Sequence, residues 1–167
     1  MGVAAGQRLR ASQYNADLDR TRKKYQTADQ IRNNNTAFLA SPDLVFSVEA
    51  NAFYAFDSCI LYDTNSTADF KHEYLLPAGS GILVATWTST LAGALVDSPV
   101  AHDALTSFSF GSGGVALGTI MCCAPRGIIA IGGTAGNLVI RFAQNTAAAI
   151  DTRLKLGSWV ELTKVSP

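Results

Sequence analysis

The chain of 167 residues is long enough for one domain with at most a short appendage. Apolar residues make up 48% of it and charged residues 16%, against about 25% charged residues in typical soluble domains. This composition excludes a disordered chain and a helical protein rich in salt bridges. The 13 basic and 13 acidic residues cancel, so the net charge gives no reason to expect nucleic-acid binding.

The cancelling charges are unevenly distributed along the chain. Residues 1–32 hold seven basic and three acidic residues, a net charge of +4, and residues 33–167 hold six basic and ten acidic residues, a net charge of −4. A charge difference between segments indicates different tasks. The sequence therefore predicts an N-terminal anchor over residues 1–32 and a body over residues 33–167.

The lack of a recognisable secretory signal and the arrangement of the cysteines indicate synthesis in a reducing cytoplasm. The first residues lack the apolar stretch of a secretory signal, and no run of about 18 apolar residues predicts a membrane span. The three cysteines are Cys59, Cys122 and Cys123, and the adjacent pair would point to opposite faces of a strand. We therefore expect free thiols and no disulfide framework.

The N-terminal segment predicts a helix from Ser12, which can cap it, to Lys24. Apolar positions in and beside this stretch are spaced like the seam of two heptads, with Tyr14, Leu18 and Tyr25 as its large members. Two heptads are too short for an independent coiled coil. The helix would need a partner, which could be its own symmetry mates, the body or a foreign docking surface.

After residue 26 the helical spacing fades, and short alternating runs separated by turn residues predict strands. The expected strands lie at 44–48, 52–62, 70–75, 82–87, 105–110, 115–122, 127–131, 138–144 and 158–165, with a loop at 89–103. About nine short strands without crossover helices indicate an all-β fold. Its expected form is a jelly-roll-like β-sandwich.

Several alternate positions of these strands are apolar where a monomer would present polar side chains to water. A sandwich with so few charges would expose a large apolar face, and such faces are usually buried between subunits. We therefore expect a cyclic homo-oligomer. The predicted interface residues are Phe53, Leu61, Leu83, Ile120 and Trp159.

No constellation of residues indicates catalysis. His72 and Glu73 face opposite sides of a strand and cannot chelate one metal ion together. His102 could pair with Cys122 or Cys123, but both cysteines lie in an apolar strand, which favours buried thiols. The Gly-rich turns lead into strands and not into the helix that a phosphate loop requires. We therefore predict no catalytic residue, no metal and no cofactor.

The basic residues of the N-terminal segment are candidate docking residues for an acidic protein surface. A plain solvated face is the competing interpretation, and nucleic acid is disfavoured because few aromatic side chains are interleaved with the cations. Trp87 and Trp159 could stack on sugars, but core or interface positions are favoured. The candidate docking residues are Arg8, Arg10, Arg20, Arg22, Lys23 and Lys24.

Three segments together resemble a known family. They are residues 6–15 (GQRLRASQYN), residues 48–63 with VEANAFY and LYD, and residues 132–163 with GGTAGNL, FAQN and GSWVELT. This pattern resembles small virion proteins of tailed phages that infect actinobacteria, described as minor tail, fibre-like or head-decoration proteins. The resemblance implies a homotrimeric sandwich on the virion exterior, attached through its N-terminal segment to a capsid, tail or baseplate protein.

The sequence thus predicts a non-enzymatic virion structural protein that is made in the host cytoplasm. Two alternatives within this class are a fibre tip that binds a host receptor or surface glycan and a decoration protein that stabilises the head. A cell-wall hydrolase would need paired acids or a metal triad, which the sequence does not offer.

Overall fold

A computed structural model describes residues 21–91, 94–101 and 107–165, with side chains described over 21–81, at 109 and over 111–165. Within these residues the chain forms thirteen β-strands in two antiparallel sheets and no helix. The described part accordingly contains no helix long and apolar enough to cross a membrane. The predicted all-β fold is confirmed.

The larger sheet has nine strands and the smaller sheet has four. The larger sheet contains β1 (Thr21–Tyr25), β2 (Gln30–Asn33), β4 (Phe53–Asp63), β6 (Gly81–Leu91), β7 (Ala94–Ala101), β9 (Met121–Cys123), β10 (Arg126–Ala130), β12 (Asp151–Leu154) and β13 (Trp159–Lys164). The smaller sheet contains β3 (Leu39–Val48), β5 (Phe70–Leu75), β8 (Ser107–Ser112) and β11 (Gly136–Gln144).

Eight of these strands follow the connectivity of a jelly roll. The smaller sheet has the order β3-β11-β5-β8, and the larger sheet contains the order β4-β10-β6-β7. Apart from β6 and β7, which pair with each other, successive strands of these eight cross between the sheets, as in two interleaved Greek keys. At the side of the larger sheet, β13 and β1 extend the order beyond β4, while β9 and β12 pair with other parts of β4.

The core lies between the two sheets because each strand buries alternate side chains. In β4 the inward side chains are buried, and in β11 the same alternation buries Leu138, Ile140 and Phe142. Aromatic rings fill much of the space: Tyr62 stacks on Phe70 with centroids 4.6 Å apart. The fully buried large side chains are Tyr54, Tyr62, Tyr74, Phe46, Phe70, Phe142, Leu44, Ile60, Ile129 and Leu138.

The N-terminal prediction needs correction where the structure describes it. The predicted helix is wrong over residues 21–24, because they belong to strand β1, which pairs with β13 from Thr21↔Thr163 to Tyr25↔Trp159. Strand β2 likewise pairs with β12. Residues 21–33 are therefore part of the body sheet, and the predicted boundary at residue 32 does not mark where the body begins. The earlier part of the predicted helix lies outside the described residues.

Two further predictions are wrong within the body. The predicted loop at 89–103 contains the end of β6 and all of β7, which pair from Val84↔Ala101 to Leu91↔Ala94. The predicted strand at 115–122 is an exposed loop over residues 115–120, and only Met121–Cys123 forms a strand. Strands β2 and β12 have no counterpart among the predicted strands.

His72 makes the stability of the core sensitive to acid. Its ring is fully buried between Phe70 and Tyr74, with centroids 5.6 Å and 5.9 Å away. Burial lowers the pKa of His72 to about 3, from an ordinary value of 6.5. Below pH 6.5 the unfolded chain binds a proton that the folded chain does not bind. The free energy of unfolding should therefore fall by about 1.6 kcal/mol between pH 6.5 and pH 5 from this group alone.

Urea unfolding of the wild-type and His72→Phe proteins at pH 7.5, 6.5 and 5.0 would measure this effect. The His72→Phe protein should lose most of the wild-type pH dependence between pH 6.5 and pH 5. His102→Gln is the control, since the chain has two histidines, and it should retain the wild-type dependence. Identical pH dependence in the wild-type and His72→Phe proteins would contradict the prediction.

Candidate functional site

The described docking residues lie on strand β1, at the end of the larger sheet. Arg22, Lys23 and Lys24 are consecutive in this strand and so alternate between its two faces. The other predicted docking residues, Arg8, Arg10 and Arg20, lie outside the described residues, as do Tyr14 and Leu18 of the predicted seam. Tyr25 lies on β1 opposite Trp159, so it is not part of a helical seam there.

Lys23 lies on the outer face of the larger sheet, where its ammonium contacts side chains of the neighbouring strand β13. Its Nζ lies 3.7 Å from the ring centroid of Trp159 and 3.7 Å from a carboxylate oxygen of Glu161, its cross-strand partner. The ion pair is half-exposed, so it contributes little by itself. The ammonium over the indole adds a cation–π contact. Lys23 therefore covers one face of a predicted interface residue.

Arg22 and Lys24 point the other way, toward the smaller sheet. Arg22 Nη1 donates a hydrogen bond of 2.6 Å to the carbonyl oxygen of Ser47 in β3 and lies 5.8 Å from the ring centroid of Tyr54. Lys24 is exposed, with its Nζ 5.6 Å from the ring centroid of Phe46. Arg22 thus joins the two sheets, and Lys24 is the more accessible of the two cations.

The outer face of the larger sheet carries two apolar areas separated by charge. The first surrounds Phe53, which is 45% exposed and lies opposite Ala130, and Ala55, which lies opposite Ile128. The second contains Leu61 and Trp159, both half-buried. Asp57 and Glu161 lie between the two areas as cross-strand partners. Three predicted interface residues therefore do share one face of the sheet.

The other two predicted interface residues lie elsewhere. Leu83 belongs to β6, in a stretch whose side chains are outside the described part. Ile120 is 60% exposed, but it sits in the loop before β9 and not on a strand. Val115 and Leu117 of the same loop are 47% and 49% exposed. The sequence pattern identified Ile120 as exposed but assigned it to a strand, and it did not identify Val115 and Leu117.

Hydrogen bonds to two buried or half-buried acids, and one from a tyrosine hydroxyl, fix this apolar loop, residues 113–120, in place. The amide of Gly118 donates to Asp63 Oδ1 at 2.8 Å, and the amide of Gly114 donates to Asp69 Oδ1 at 2.8 Å. Tyr62 Oη donates to the carbonyl oxygen of Gly113 at 2.9 Å. Gly118 has a φ of 92°, a left-handed conformation that favours glycine. The loop therefore holds its apolar side chains outward without being part of a sheet ladder.

Asp63 links the loop to the sheet. It is 2% exposed at the end of β4, and its carboxylate lies 3.6 Å from Arg153 of β12. Arg153 also forms an ion pair of 2.9 Å with Asp151, whose pKa is lowered by hydrogen bonds from Asn33 and Arg153. A buried carboxylate that accepts a backbone amide and faces a cation is well placed to restrain a loop.

Replacing Asp63 by alanine should therefore release the apolar loop. Loss of a hydrogen bond to a charged acceptor corresponds to about 1.5–3 kcal/mol, so amide exchange around Gly118 should accelerate by roughly 10- to 100-fold. Hydrogen–deuterium exchange read by mass spectrometry would measure it. Asp57→Ala, which removes an exposed acid from the same strand, should leave the loop's exchange unchanged. Unchanged exchange in the Asp63→Ala protein would contradict the role of Asp63.

The described residues bring together no cluster of catalytic type. Among them, no group of three or more His, Cys, Asp or Glu side chains could hold a metal ion. His72 is enclosed in the core, and burial raises the pKa of Cys123 to about 12. His102, which could pair with Cys122 or Cys123, lies outside the described residues. The surface features are thus the cationic strand, the apolar areas and the apolar loop.

No protein-family model matches the chain, and no curated protein matches it. Among solved structures, the VP2 protein in a subviral particle of infectious bursal disease virus is 10% identical, with a TM-score of 0.25 over 89% of this chain and 42% of that chain. Structures of the Gx and Gt strains of the same virus give 9% identity and TM-scores of 0.23 and 0.24, covering 40% and 41% of those chains. The chain spans about two fifths of the length of these structures. Likenesses this weak carry no argument, and the fold assignment rests on the strand pairing.

Proposed function

We propose that the chain is a non-enzymatic structural protein of a bacteriophage virion. In this proposal it forms a homotrimer on the virion exterior and attaches through its cationic N-terminal segment to a capsid, tail or baseplate protein. The resemblance of the segments at 6–15, 48–63 and 132–163 supports the phage assignment. The observation that carries the proposal is the row of exposed and half-exposed apolar side chains on the outer face of the larger sheet.

This outer face has the properties of an assembly surface. Phe53 and Val165 are 45% and 52% exposed, and Val165 is tied to Phe53 by a backbone hydrogen bond of 2.9 Å. Ala55, Ala130 and Ile128 extend the same area. Large apolar side chains surrounded by small ones leave a flat surface on which another sheet or a second copy can pack. Burial of such a surface is worth about 25 cal/mol per Å².

The cationic strand borders this surface and supports attachment to an anionic partner. Lys24, its most accessible cation, points toward the smaller sheet, so this attachment would use the side of β1 opposite the apolar areas. Three copies of one anchor in a trimer would bind more tightly than a single copy, since the second and third contacts become intramolecular. A weak anchor would therefore suffice for stable attachment.

Phe53→Asp tests the assembly surface. We expect the wild-type protein to have three times the chain mass by light scattering after size exclusion. The Phe53→Asp protein should dissociate, with the dissociation constant raised at least about tenfold, because a charge replaces an apolar anchor. Circular dichroism should show the fold unchanged, since Phe53 points away from the core.

Ile31→Asp is the matched control for this experiment. Ile31 is 50% exposed on β2, away from the Phe53 area, so its replacement should leave the mass unchanged. A monomeric wild-type protein at micromolar concentration would contradict the trimer. A Phe53→Asp protein that assembles like the wild type would exclude this face as the interface.

The anchor is best tested by removing residues 1–20 and no more. A deletion through Lys24 would also remove β1 and its pairing with β13, and so would confuse loss of docking with loss of stability. The shorter deletion removes Arg8, Arg10 and Arg20. It should abolish incorporation into particles produced in a complementation assay, while the purified protein keeps its circular dichroism spectrum and its mass.

Lys24→Gln is a second variant for the anchor, and it should reduce incorporation more strongly as salt is raised, because docking to an anionic surface is screened by ions. Lys71→Gln, on the smaller sheet, is the charge-matched control and should have no effect. Wild-type incorporation of the protein that lacks residues 1–20 would exclude the N-terminal attachment.

A further inference from the structure

Cys59 and Cys122 lie on neighbouring strands of the larger sheet and on the same face. Strand β9 pairs with β4 in the register Leu61↔Cys122 and Ile60↔Cys123. Because side chains alternate along a strand, Cys59 and Leu61 share the outer face, and Cys122 shares it with them. Cys59 and Cys122 are thus diagonal neighbours across an antiparallel pair, within side-chain reach.

The two sulfur atoms are in direct contact. Cys59 Sγ lies 2.6 Å from Cys122 Sγ, closer than two sulfur atoms that are merely packed together, although longer than the bond of about 2.05 Å in a disulfide. Both side chains are half-buried and so partly open to solvent. Cys123 points to the opposite face and is fully buried, which removes it from competition.

We propose that Cys59 and Cys122 form a disulfide within one chain when the protein meets an oxidising small disulfide, such as oxidised glutathione. The three cysteines are free in the structure, so the cross-link is a change of state. It does not depend on the proposed function, because both sulfur atoms belong to the same chain.

The exchange balances without any group beyond the oxidant. The thiolate of one cysteine attacks a sulfur of oxidised glutathione, which forms a mixed disulfide and releases one glutathione thiolate. The thiolate of the second cysteine then attacks the protein sulfur of the mixed disulfide, which forms the Cys59–Cys122 bond and releases the second glutathione. The protein loses two protons and two electrons, and oxidised glutathione is reduced to two glutathione molecules.

The environment of Cys122 slows this reaction near neutral pH. Burial and the contact with Cys59 raise the pKa of Cys122 to about 12. The thiolate, which is the attacking species, is therefore scarce at Cys122 near neutral pH. We expect the cross-link to form slowly at pH 7 and faster as the pH is raised toward 9.

The cross-link would restrain strand β9, which has few other restraints. Strand β9 is three residues long, and among the described strands it pairs only with β4. It directly follows the apolar loop, residues 113–120. A bond from Cys122 to Cys59 would join the end of this loop covalently to the centre of the sheet. The oxidised protein should accordingly hold the loop more firmly than the reduced protein.

The experiment uses the purified full-length chain, reduced and then incubated with oxidised glutathione at pH 8. After alkylation of the remaining thiols, peptide mass spectrometry should find Cys59 joined to Cys122 and a single alkylated cysteine, Cys123, detected after unfolding. The midpoint of thermal unfolding should rise by roughly 5–10 °C over the reduced protein, because the bond closes a long loop. Non-reducing electrophoresis should show one chain and not a dimer.

Matched variants keep the proposal open to refutation. Cys59→Ser and Cys122→Ser should each abolish both the cross-link and the thermal shift, while Cys123→Ser should retain both if its circular dichroism spectrum is native. The proposal is overturned if both cysteines of the folded wild-type protein remain alkylatable after prolonged oxidation. It is equally overturned if the bond found joins two chains or joins Cys123.

Discussion

Strand β4 is the element on which the rest of the structure depends, because its residues from Phe53 to Tyr62 alternate between the outer face and the buried core. Its inward side chains, from Tyr54 to Tyr62, fill the space between the sheets. Its outward side chains, from Phe53 to Leu61, form the spine of the outer face. Strands β13, β10, β12 and β9 all pair with it. A shift of its register by one residue would exchange the two sets of side chains, so core and surface are specified by the same alternation.

Several of the polar groups that this core encloses are hydrogen-bonded, as burial requires. Ser58, an inward residue of β4, shares a hydrogen bond of 2.7 Å with Tyr74 Oη, and Gln144 of β11 donates to the carbonyl oxygen of Ala148 at 3.0 Å. Glu73 is buried on the outer side of the smaller sheet and forms an ion pair with Arg141, its cross-strand partner. The Ser58–Tyr74 and Glu73–Arg141 contacts fix pairs of strands relative to one another, and the Gln144 contact fixes the turn after β11. Apolar packing supplies most of the stabilisation, and the polar pairs select one arrangement.

The sequence allowed the sandwich and most central strands to be predicted, because alternation over residues such as those of β4 and β11 is a direct consequence of burying one face. It failed at strand β1, whose side chains are mostly exposed. Strand β1 has the sequence TRKKY, and its charges and spacing resemble the end of a helix. It is a strand because it pairs with β13 at the edge of the sheet. At residues 115–120 the error was the opposite one, because a loop was predicted to be a strand. Its residues are apolar, but Gly118 and the bonds to Asp63 and Asp69 replace the sheet ladder. The closeness of Cys59 and Cys122 depends on strand register, which composition does not encode.

The structure also changes what the uneven charge of the chain means. Several charges of the first 32 residues are engaged by the body: Arg22 bonds to Ser47, Arg32 donates to the carbonyl oxygen of Ala37 at 2.6 Å, and Asp29 forms an ion pair with Lys155. Lys23 lies over Trp159. By charge alone, these residues form a single cationic N-terminal segment. In the structure, some of them make contacts within the protein and others are exposed to solvent. Of the four described cations in this segment, Lys24 is then the one most accessible to a partner. An attachment that uses Lys24 would begin on the side of β1 that faces the smaller sheet. The apolar areas lie on the outer face, so assembly and attachment would use different sides of the same sheet.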